Sequence, residues 1–427
     1  MNYRPTDDLN PEKLAKFQRP STPNELNEGF FNTLLKAIPE IKLTAIAAQN
    51  NRTPTFNFSS PTITATYTQS PTASPTSTVS PTPSASPTPL HVYAFAGNGT
   101  PGYSGDGASA SAAKLSGPFG VATDLQGNVY IADFQNSVVR RVDSAGNITT
   151  VAGIGVAGYS GDNGPATAAA LSKCSAVSVN TAGELFIADS YNNVIRKVDL
   201  SGTITTFAGK PVHPGNDGDG GLATSAHLDF PTGVSNDLSG NVFVVDTSSA
   251  VVRMINSSGI IATVAGTPHQ WGYSGDGGPA TAAKLQYPWG IAVDYIGNLF
   301  ISDHSNDVVR KVDTAGTITT VAGIAGSYGY FGDNGPAIGA TIYGANGVAV
   351  DAFGNLYIAD TQNNIVRKVD NNGRITTIAG HPGLGLSSGN GGLATSSMFV
   401  EPTGIAVDQN GSLYIADMGG NVVRVIK

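Results

Sequence analysis

The chain has 427 residues, 13% of them charged, with 53 glycines, one cysteine and a net charge of −8. A single cysteine excludes an internal disulfide framework, and no apolar run is long enough for a membrane-spanning helix. The acidity belongs to residues 91–427, which hold 16 Lys/Arg against 25 Asp/Glu. A body of that sign repels phosphate backbones, which argues against nucleic acid as a partner.

Residues 1–52 read as a separate attachment region, partly helical. A short helix is predicted over Pro11–Phe17 and a longer one over Pro23–Ile38. Ser21 or Thr22 suits the cap of the second, Pro23 its first turn, and Glu25 and Glu28 its positive end. Leu26, Phe30, Phe31, Leu34, Leu35 and Ile38 form one apolar stripe that must be covered. Two readings follow: a self-packed helical pair, or an anchor that docks on a partner or on other copies to build a particle or fibre. Lys36, Glu40 and Lys42 interrupt the apolar stretch, so no signal peptide is recognisable. Residues 53–90 contain eight Pro and nineteen Ser/Thr and no charge. That composition predicts a disordered, extended stalk of the kind often glycosylated outside cells. Asn-x-Ser/Thr sequons occur at Asn51, Asn57, Asn98, Asn147 and Asn256, and their use depends on the host.

From His91 onward one unit recurs. In Pro288–Gly323, four runs rich in β-branched residues alternate apolar with polar or small positions, and two D-x-x-G turns join the first run to the second and the third to the fourth. The unit reads as a four-stranded antiparallel meander. Its second-strand Asp recurs as Asp133, Asp189, Asp246, Asp303, Asp360 and Asp417, and its third-strand Arg as Arg140, Arg196, Arg253, Arg310, Arg367 and Arg424. A fixed period of this size in an all-strand chain predicts a radial repeat. The sixth copy ends after its third strand, at Lys427, and the segment from Val92 to Gly97 matches the missing fourth. The predicted fold is all-β: a six-bladed β-propeller over 91–427, closed by its N-terminal strand, which removes an open sheet edge.

The unit P-x-G-[IV]-A-V-D-x-x-G-N-L-Y-I-A-D-x-x-N-N-V-V-R-K-V-D resembles the NHL repeat, a family of six-bladed β-propellers, over Val92–Lys427. The spacer from Gly272 to Leu285 (GYSGDGGPATAAKL) resembles the longer variant of bacterial surface proteins and teneurin-type ectodomains. The resemblance implies a fold and a docking surface rather than a reaction.

Candidate site residues divide by whether they obey the repeat. The six Asp–Arg pairs occur in every blade and read as structural ion pairs and turn caps. The spacer residues Asp106, Asp162, Asp219, Asp276, Asp333 and Asn390 recur in step and read as turn chemistry, with calcium as the alternative. Cys174 stands where other units have Pro and reads as a small buried filler. Enzymes on similar rings hold a divalent ion at the channel mouth. The corresponding residues here are Phe119, Ser175, Thr232, Trp289, Asn346 and Thr403, of which only Asn346 suits a metal. No catalytic residues, metal site or cofactor are assigned. Trp271, Trp289 and His304 break the repeat, with Tyr287 and Phe119 nearby; aromatics on a loop face suit sugar rings or a protein hot spot. The chain is therefore expected to be a non-catalytic, extracellular or cell-surface module recognising a protein or glycan through the long-loop face. The alternatives are a structural subunit assembled through residues 1–52 and a metal-dependent hydrolase or lyase.

Overall fold

Each repeat's β-branched alternation gives one blade, and the blades differ little. The computed structural model describes residues 89–383 and 386–427, together with a two-residue antiparallel pair, Thr55–Phe56 with Ala65–Thr66. The helices expected before residue 39 and nearly all of the stalk lie outside the described residues. The fourth blade runs Pro288–Val293, Leu299–Asp303, Val308–Val312 and Ile318–Ala322. Blades 1, 2, 3 and 5 begin at Pro118–Thr123, Cys174–Val179, Pro231–Asn236 and Val348–Val350. The sixth takes Pro402–Val407, Leu413–Asp417 and Val422–Ile426 from one end of the chain and Val92–Ala96 from the other. Val92 pairs with Ile426 and Ala96 with Val423, so the ring closes as the end-matching of the sequence implies.

Closure alone does not remove every edge. The outermost strand of each blade still has one free side, and the spacers cover it. Ala108–Ser109 pairs with Ile148 and Asn147 in the first blade, and Gly164–Pro165 with Ile204 and Thr203 in the second. Single bridges Leu222–Ile260, Pro279–Thr317, Pro336–Arg374 and His91–Leu393 do the same in the other four. The repeated Gly-Asp-rich spacers thus blunt the outer edges as well as make turns.

The core lies between blades. Ala132, Val139 and Ala152 of the first blade meet Leu171, Ile187 and Ile204 of the second, and five similar clusters complete the circle. Cys174 sits in that first interface, fully buried and free, and burial pushes its thiol well above the usual range. Inner strands crowd one another around the axis: a Cβ on Gly290 or Gly347 would strike the carbonyl of Asn346 or Thr403. This close approach leaves an axial cavity of only about 70 Å3.

Candidate binding face

Each inner strand runs toward its D-x-x-G turn, so these turns share one face. The opposite face carries the turns between second and third strands and the long spacers. In blades 1, 2, 4 and 5 that short turn is a single 3-10 turn closed by a residue in the left-handed region, such as Asn193 (φ 58°) or Asp307 (φ 59°).

The buried ion pairs hold this face in place. Asp189 and Arg196 are fully buried, with Arg196 Nη1 3.5 Å from the carboxylate. The shorter contact is to the spacer: Arg196 Nη2 lies 2.6 Å from Asp162. The same 2.6 Å contact joins Arg140 to Asp106, Arg253 to Asp219, Arg310 to Asp276 and Arg367 to Asp333. In the sixth blade Asn390 takes that place, accepting from Arg424 Nε at 3.1 Å. Each Arg therefore ties its spacer to its blade, while the second-strand pairs, including Asp303–Arg310, Asp360–Arg367 and Asp417–Arg424, are longer at 3.4–3.8 Å. The spacer carboxylates are thus arginine partners, a role their glycine-rich setting did not suggest. Three of them are held at the second oxygen too: Tyr159, Tyr273 and Tyr330 donate to Asp162, Asp276 and Asp333 at 2.8–2.9 Å. Burial raises the second-strand carboxyls, to about 6 for Asp133, Asp189 and Asp303, about 7 for Asp360 and about 8 for Asp246.

At the channel mouth six-fold order ends. Phe119 and Trp289 stack across the axis with ring centroids 5.8 Å apart. Phe119 also meets Phe134 (5.6 Å), Phe134 meets Tyr191 (6.3 Å), Tyr191 meets Phe230 (5.5 Å) and Phe230 meets Trp289 (6.3 Å). These five rings form a closed circuit over blades 1 to 4. His304 adds to it, 5.5 Å from Trp289; its Nδ1 faces the Ala345 carbonyl at 3.2 Å and burial holds its pKa below the usual value. The other half of the mouth has small or polar residues: Asn346, Thr361 and Thr403. Asn346 Oδ1 and Trp289 Nε1 are buried without a hydrogen-bond partner. Among the described residues no three of His, Cys, Asp and Glu gather closely enough to hold a metal ion.

Three stretches, residues 97–159, 208–272 and 267–330, match the family model for the Teneurin NHL domain. The ring is an NHL-repeat propeller. Teneurin-1 of Mus musculus is 28% identical over 73% of this chain, and Teneurin-4 of Homo sapiens 28% over 74%; the chain spans 12% of the length of each. Among solved structures, a structural genomics protein from Bacteroides thetaiotaomicron superposes with a TM-score of 0.59 at 18% identity. An auxiliary nutrient binding protein from the same organism gives 0.57 at 16%. Both cover 79% of this chain and 76% of their own, and they share the fold. An NHL propeller of the teneurin kind fits a protein-interaction module.

Of the residues singled out in the sequence, the NHL fold brings Phe119, Trp289, His304 and Asn346 to one mouth. Trp271 stands apart on its spacer, half exposed, with its ring 6.2 Å from His269. Tyr287 is also half exposed and, among the described residues, joins no aromatic pair in the circuit. Phe134, Tyr191 and Phe230 were not singled out. They occupy three different repeat positions, just after the second-strand Asp and just before the inner-strand Pro. Comparing the six units column by column marks Phe134 and Tyr191 as exceptions, whereas Phe230 shares its column with Tyr287.

Proposed function

We propose that the propeller is a non-catalytic recognition module, displayed outside the cell, that binds a protein or glycan through the aromatic half of its long-loop face. The observation that carries this reading is the circuit of Phe119, Phe134, Tyr191, Phe230 and Trp289 on a scaffold otherwise repeated six times. Structural devices follow the repeat; a recognition surface has reason to break it. Rigid aromatics offer large contact area at small entropic cost. The non-catalytic part is supported by the stacked Phe119 and Trp289, which plug the mouth, and by an axial cavity far below the roughly 300 Å3 of small-molecule sites.

The test pairs glycan-array and cell-binding measurements on the full chain with Tyr191→Ala combined with Phe230→Ala. Loss of a hot-spot pair is expected to weaken binding by about 2 kcal/mol, roughly thirtyfold. Undiminished binding by the double variant would move recognition off this face.

A further inference from the structure

The blades share another device, on the D-x-x-G side of the ring. The third-strand residue following the buried Arg is Arg141, Lys197, Lys311 or Lys368 in blades 1, 2, 4 and 5. Each pairs across the sheet with an aromatic residue: Tyr130, Phe186, Phe300 and Tyr357. Lys311 and Lys368 lay their ammonium groups over those rings, 5.8 and 5.6 Å from the centroids. In the sixth blade the position is Val425, opposite Tyr414. In the third blade it is Met254, opposite Phe243, so this ring has no cation of its own.

Beside Met254, between blades 3 and 4, a cleft of about 520 Å3 opens. Phe243, Met254, Val264 and Leu299 make its apolar walls. Two D-x-x-G turns form the rim and carry Leu238, Tyr295 and Ile296, exposed by 70%, 67% and 57%. The equivalent first-to-second-strand turns bear Leu125 and Gln126, Thr181 and Ala182, Ala352 and Phe353, or Gln409 and Asn410; two of them hold no large apolar residue and none holds two, so the turn itself does not require the Tyr295–Ile296 pair. Asp237, Asp294 and Asp313 also line the cleft, and no Lys or Arg does. An apolar slot of this volume with carboxylates of one sign around it selects an apolar group joined to a cation.

We propose that this cleft docks an extended segment of a partner protein that inserts an apolar side chain flanked by lysine or arginine. The partner's cation would face Asp237, Asp294 and Asp313, while its apolar group rests against Met254 and the rim residues. The site lies on the face opposite Trp289, so it is independent of the recognition surface proposed above.

The test measures fluorescence polarisation of a labelled hexapeptide with a central phenylalanine between two lysines, and of its counterpart with two glutamates, on the full chain. The lysine peptide is expected to bind and the glutamate peptide to bind at least about tenfold more weakly. Met254→Lys, which restores the residue type of the neighbouring blades, should raise half-saturation at least about tenfold. Tyr295→Asn with Ile296→Asn, which copies a turn the ring already uses, should do the same without changing charge, and it stands as the test if the first variant misfolds. Tyr191→Ala with Phe230→Ala should leave this binding intact. Equal binding of the two peptides, no binding of either, or full binding by the asparagine variant would overturn the proposal. So would a dimer in sedimentation that this variant abolishes, because the occupant would then be a second copy.

Discussion

Blades 2 and 3 have the same strands and the same buried pair, yet they treat their polar groups differently. In the second, Asp189 accepts from the Ser172 amide at 2.7 Å and from Asn192 Nδ2 at 2.8 Å, and Asn192 also donates to the Gly158 carbonyl of the spacer. In the third, Ser249 stands in place of that Asn. Asp246 keeps the Asp229 amide at 2.6 Å, but its Oδ2, 3.8 Å from Arg253 Nη1, and the Ser249 hydroxyl are buried without a hydrogen bond. Burial then dominates and pushes Asp246 up to about 8, against about 6 for Asp189. On the opposite side, Lys197 pairs with Glu184 in blade 2, whereas Met254 leaves the apolar cleft in blade 3. The comparison separates two layers of the repeat. The Asp–Arg pair and the spacer contact survive in both blades; the auxiliary donors do not. A blade can lose its supporting polar groups and still fold, because its neighbours share the apolar interfaces.

The largest expected effect comes from removing the arginine. Arg196→Ala leaves Asp189 and Asp162 without their cation and should lower unfolding free energy by about 3–5 kcal/mol in urea titrations. Arg253→Ala should cost clearly less at pH 7, because an Asp246 raised to about 8 is already largely neutral there. Equal losses would erase the distinction between the blades.

Exchanging the auxiliary donor sharpens the same contrast. Ser249→Asn should stabilise by about 1 kcal/mol near neutral pH, and Asn192→Ser should do the reverse. The sign follows from proton binding. With Asp246 at about 8 in the folded state and 3.8 as its ordinary value, the folded chain holds the extra proton between these limits. Its contribution to stability is complete below about pH 4 and lost as pH rises toward 8. Ser249→Asn, by lowering that pKa, should flatten this decline in melting temperature against pH; an unchanged slope would refute the assignment. The smallest effect is on the surface: Lys197→Met removes a partly exposed ion pair and should cost about 0.5 kcal/mol, less in high salt.

Much of the fold was legible because β-repeats write their period into the chain. Asp133 to Asp417 counts the blades, and the match of the Val92–Ala96 segment to Ile318–Ala322 locates the seam. The spacers were harder. Asp162 and Asp276 sit among glycines that suggest a turn, and only the folded spacer shows each reaching an arginine 34 residues further along. The mouth was legible in part. Trp289 and His304 announce themselves as rare residues, whereas Phe134, Tyr191 and Phe230 are ordinary aromatics until the inner strands converge.

Taken alone, the order of residues determined the number of blades, the strand that seals the circle and the arginines that each blade buries. These follow from local alternation and turn chemistry, which every unit repeats. Which side chains became neighbours across the axis, and which gap between blades stayed open, was decided by packing. Phe119 and Trp289 are separated by half the ring in sequence and meet only because glycine-lined inner strands draw opposite blades within ring-stacking distance.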